Sequence, residues 1–69
     1  MAALVSTFSL ADQIAELKRE LALRRRVYPR WVENGKLSYE MSTHRTGAMQ
    51  AAVETLEKLQ LQENPPLPI

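Results

Sequence analysis

Residues 10–33, LADQIAELKRELALRRRVYPRWVE, decide how this chain folds. Leu10, Ile14, Leu17, Leu21, Tyr28 and Trp31 recur at steps of four and three, and Arg24 fills the one missing position. That alternation winds a single stripe along an α-helix, and its mean step of about 3.5 residues suits coiled-coil-like packing. The charged residues Asp12, Glu16, Arg19, Glu20, Arg26 and Arg30 mostly lie off the stripe. Just upstream, Ser9 can accept from a first-turn N–H, and Asp12 stands three residues on, near the positive end of the helix dipole. A helix over about 10–33 follows.

Pro29 interrupts this reading. Proline lacks a donor and clashes with the carbonyl four residues back, here that of Arg25, and it disfavours helical angles at Tyr28. A kink or short break is expected there, with Arg30–Glu33 adding one further turn. Asn34-Gly35 then closes the segment, since glycine takes the left-handed angles of a C-cap. After a turn over 34–38, Ser38 can cap a second helix over about 39–62. Its expected inward residues are Met41, Ala48, Met49, Ala52, Val53, Leu56 and Leu59, with Arg45 breaking the series as Arg24 does in the first. Residues 1–8 are small and apolar without a period, and residues 63–69 hold three of the four prolines, which predicts an extended tail.

Two helices of about 36 Å joined by a short turn make an all-α, antiparallel hairpin. A chain of 69 residues supports one small core, worth roughly 3–5 kcal/mol of net stability. Cysteine is absent and His44 is the only histidine, so neither disulfides nor a zinc site built from Cys and His ligands can staple it. Pairing of two hairpins into a homodimeric four-helix bundle is the remaining aid, with Leu10, Ile14, Leu17, Leu21, Tyr28, Trp31, Met49, Ala52, Leu56 and Leu59 as its core and dimer residues. No apolar run approaches the roughly 18 residues of a membrane span, and the start lacks the basic region of a secretory signal.

No glycine-rich phosphate loop, no nucleophile beside a histidine and no paired carboxylates stand out, so no catalytic residue, metal or cofactor is expected. The charge map is more informative. Between Leu21 and Ala48 six cations (Arg24, Arg25, Arg26, Arg30, Lys36, Arg45) meet two anions (Glu33, Glu40), a net +4; the remainder carries three cations and six anions, a net −3. A hairpin would be a dipolar rod with a basic closed end, which steers partners of complementary potential. Tyr39, about 200° from Met41 on a helical wheel, is placed on an outer face. Arg26, Arg30 and Tyr39 are the candidate partner-binding residues, because Tyr and Arg are enriched in binding hot spots. Gly47, Ala51 and Thr55 form a strip of small residues that would admit a close helix approach. Direct DNA binding through the arginines is weakened by the low net charge and by a second helix poor in cations.

The stretch Ile14–Leu59, above all Arg24-Arg25-Arg26-Val27-Tyr28-Pro29-Arg30-Trp31-Val32 followed by Gly35-Lys36-Leu37, resembles a family of small helical-hairpin proteins encoded by temperate phages and prophages. The family pattern reads R-R-x-V-Y-P-R-W-V, two residues, G-(K/R), and the match spans about two-thirds of the chain. The resemblance implies a non-enzymatic dimer that acts in the cytoplasm of the infected host cell. Length and termini are most similar to a member with an anti-quorum-sensing role, an inhibitor that blocks DNA binding by a LuxR-type transcriptional activator. The type IV pilus assembly ATPase is implied as a second target. On this reading neither nucleic acid nor membrane is a direct partner. A small DNA-binding regulator using the arginine-rich tip, and a phage structural or adaptor subunit, are the alternatives.

Overall fold

The computed structural model describes residues 7–63. They form two helices, α1 (Leu10–Glu33) and α2 (Tyr39–Glu63), with no strand among the described residues. The first six residues and the proline-rich segment 64–69, expected to be extended, lie outside the described residues. Lys18 bonds Glu57 and Arg25 bonds Gln50, so positions rise along α1 as they fall along α2, and the hairpin is antiparallel.

Local chemistry accounts for both helix starts and for the end of α1. The Asp12 N–H donates to the Ser9 hydroxyl at 3.0 Å and the Met41 N–H to the Ser38 hydroxyl at 3.0 Å, so a serine caps each helix. At the far end of α1 the Lys36 N–H reaches the Trp31 carbonyl (2.8 Å) and the Gly35 N–H the Val32 carbonyl (3.1 Å). This pair of bonds is the Schellman closure, and it requires a left-handed residue, which Gly35 supplies at φ 75°.

Of the kink or short break expected at Pro29, the break does not occur. The helix runs through it to Glu33. Proline removes only one bond, to the Arg25 carbonyl, and the turn around it is anchored from both sides. The buried Tyr28 ring lies 5.6 Å from Trp31 and 5.9 Å from the Arg24 guanidinium, while the Schellman bonds lock Trp31. Proline in a helix interior costs about 3 kcal/mol. Pro29→Ala should therefore raise the thermal midpoint, and an unchanged or lower midpoint in a circular-dichroism melt would show that the ring contributes contacts of its own.

Four side chains are buried: Ile14, Leu21 and Tyr28 from α1 and Val53 from α2. Leu10, Leu17, Met49, Ala52 and Leu56 are half-buried around them. The face that α2 turns to α1 differs from the expected one. Besides Met49, Val53 and Leu56 it carries Ser42, Thr46, Gln50, Glu57 and Gln60, all half-buried, whereas Met41, Ala48 and Leu59 point away and are exposed. The 3–4 spacing of the apolar residues misleads here because they are divided between two sides of α2, one polar-edged toward α1 and one apolar that no part of the hairpin covers.

Candidate functional site

The run Arg24-Arg25-Arg26 divides into three environments. Arg24, half-buried, bonds Glu20 at 3.1 Å, reaches the Arg45 carbonyl at 3.5 Å and lies over Tyr28. It thus fills the gap in the apolar stripe with its stem and ties the helices together with its head. Arg25 donates to the Gln50 side-chain carbonyl at 3.0 Å, and Gln50 in turn donates to Glu54 at 2.9 Å. Of the three, only Arg26 makes neither a side-chain hydrogen bond nor an ion pair among the described residues, a state it shares with the likewise exposed Arg30.

On a helical wheel Arg26 and Arg30 lie roughly 140° and 180° from the row of Ile14, Leu21 and Tyr28. They form the outer edge of α1. Tyr39 does not join them. It is 75% exposed in the first turn of α2, roughly 40° from the buried Val53 and so on the side facing α1. Its exposure has a different cause from the one its position opposite Met41 suggested. α1 has already ended at Glu33, and the turn over 34–38 leaves the tyrosine projecting from the closed end. The two anions of the basic half, Glu33 and Glu40, are exposed at this same extremity. The closed end therefore offers two chemistries, a cationic edge along α1 and an exposed aromatic ring with two exposed carboxylates at the same end of the hairpin.

The long sides of the hairpin differ as well. One side is polar, bridged by Lys18–Glu57 at 2.9 Å and by the Arg25–Gln50–Glu54 chain. The opposite side is apolar. Leu17 and Trp31 of α1 and Met49, Ala52, Leu56 and Leu59 of α2 line it, with Trp31 38% and Leu59 42% exposed. Gly47 lies away from both buried rows. A methyl group built there meets nothing within 4 Å, so packing inside the hairpin does not require the glycine.

Among the described residues one surface ion pair shows shifted acidity. Arg19, 2.8 Å from Glu16, holds the Glu16 carboxyl below its ordinary value, chiefly through their hydrogen bond, and is itself raised. Both groups are fully exposed, so the pair is screened by water. Among the described residues no three His, Asp or Glu side chains gather as metal ligands, and no helix is long and apolar enough to cross a membrane. No family model matches the chain, and neither a curated protein nor a solved structure is significantly similar to it.

Proposed function

We propose that this chain is a non-enzymatic phage protein that acts inside the infected host cell by binding host proteins. Its first target is the DNA-binding region of a LuxR-type quorum-sensing activator, which it occludes; the type IV pilus assembly ATPase is the second. The target identities rest on the resemblance of residues 24–32 to the phage hairpin family. The observation that carries the binding reading is the exposed Tyr39 at the tip of a rigid, capped hairpin. A large aromatic ring held out on a helix end gives contact area at low entropic cost, which is the character of a hot spot. A DNA-binding face is basic and would be repelled by the arginine edge. Tyr39, with Glu33 and Glu40 at the same end of the hairpin, offers such a face a neutral ring and two anions instead.

The same reading includes self-association. The apolar side, lined by Leu17, Trp31, Ala52, Leu56 and Leu59, matches the inner face of a four-helix bundle, and a second hairpin laid on it would cover both stripes. Arg26, Arg30 and Tyr39 lie off that side, so pairing leaves them open to partners. Tyr39→Ala should leave the unfolding free energy within about 0.5 kcal/mol of wild type. It should weaken binding to the isolated activator DNA-binding domain by at least about 2 kcal/mol, some thirtyfold, in titration calorimetry. Unchanged affinity would remove Tyr39 from the interface. A salt-dependent shift of duplex DNA by the protein alone, lost in Arg26→Ala and Arg30→Ala, would favour the DNA-binding reading instead.

A further inference from the structure

The charges bordering the apolar side have a symmetry that specifies how two copies meet. Lys18 with Glu57 and Arg25 with Gln50 give the level rule of the hairpin: facing positions on α1 and α2 sum to 75. The midpoint between Glu20 and Arg24, both toward the apolar side of α1, is position 22. On α2, Arg45 and Glu63 lie on one wheel row with Ala52 and Leu56, and their midpoint is position 54. Level 22 on α1 faces 53 on α2, so the two midpoints lie on one line across the hairpin to within a residue. Arg45 and Glu63 are exposed, and neither side chain has an ion pair among the described residues.

From this register we infer that two copies stack through their apolar sides in opposite directions, α1 on α1 and α2 on α2, about a twofold axis running across the hairpins at level 22/53. The inference rests on the self-association proposed above and adds its orientation. About this axis Arg45 of each copy meets Glu63 of the other, and the Glu20–Arg24 pair of one copy lies against that of the other with the signs opposed. Ala52 meets Leu56 near the axis, where a small side chain opposite a large one lets the two α2 helices interdigitate. The basic closed end of one copy also lies over the acidic open end of the other. The opposite choice, with both turns at one end, brings two ends of net +4 together and leaves Arg45 and Glu63 at separate ends of the bundle.

The chain has no cysteine, so Lys36→Cys in the turn gives one spin-label site per copy. Pulsed electron–electron resonance on the labelled full-length protein should give a distance of about 40 Å, the length of the overlapped helices. Copies with both turns at one end would give about 10–20 Å, the spacing of packed helices, and that result overturns the orientation while leaving the dimer standing. A mass of one chain in sedimentation, with no dipolar coupling, overturns both. As a second arm, Arg45→Glu and Glu63→Arg should each weaken self-association about tenfold, and the double swap should restore it. A single swap that strengthens association, or a double swap that restores nothing, also contradicts the arrangement.

Discussion

Leu21→Ala should leave the protein largely unfolded at room temperature. Leu21 sits at the centre of the four-residue core, against Val53 at the same level of the hairpin, and is 4% exposed. Truncating a buried leucine costs about 2–5 kcal/mol, from lost transfer energy and from a cavity that the neighbours only partly fill. The whole net stability of a scaffold this small is roughly 3–5 kcal/mol, so one substitution is comparable with the total. Urea titration followed by helical circular dichroism measures it, with Leu23→Ala as the control. Leu23 is exposed on the outer side of α1, and its removal should shift stability by no more than about 0.5 kcal/mol. Equal effects of the two substitutions would mean that α1 packs through another face.

The second large effect is expected at Ala52→Glu. Ala52 is half-buried in the hairpin and looks out on the apolar side, where the second copy is proposed to lie. A carboxylate there stays solvated in a single hairpin but is driven into an apolar interface in the dimer, twice over by symmetry. Burying an ion costs several kcal/mol even after relaxation, so the dissociation constant should rise at least about a hundredfold. Sedimentation equilibrium at micromolar concentration should give two chains for the wild type and one for the variant. A variant that remains a dimer would move the interface elsewhere, and a wild type with the mass of one chain would remove it.

The hairpin itself was legible from residue spacing and caps. Ser9, Ser38 and Gly35 each mark a boundary through chemistry local to the backbone, and their positions agree with those expected. The break expected at Pro29 does not occur because proline's cost is weighed against more than the local chain: Tyr28 beside it is held by Trp31 and Arg24 and, through contacts that one helix cannot show, is buried in the core with α2. The inward face of α2 was misread because its apolar residues are divided between the side toward α1 and a side the hairpin leaves open, so they form no single stripe. Half-buried Thr46, Gln50 and Glu57 on the α1 side leave the apolar spacing to report the other direction. Sequence likewise grouped Arg26, Arg30 and Tyr39 as one surface, since all three fall near the turn. On the wheels the two arginines fall on the outer edge of α1 and Tyr39 on the α1-facing side of α2, an assignment that needs the path of the turn between the helices. The division of the three arginines into a core stem, a cross-helix clamp and a free edge depends on contacts with Arg45 and Gln50 of α2, which spacing within α1 does not contain.

Competition for DNA tests the central claim most directly. A LuxR-type activator from the host is bound to a fluorescently labelled operator duplex, and this protein is added while anisotropy is followed. The account predicts release of the duplex at protein concentrations stoichiometric with the activator, with no binding of this protein to the duplex alone, and no release by Tyr39→Ala at the same concentrations. A duplex that stays on the activator at saturating protein, or that is released equally by Tyr39→Ala, would contradict it.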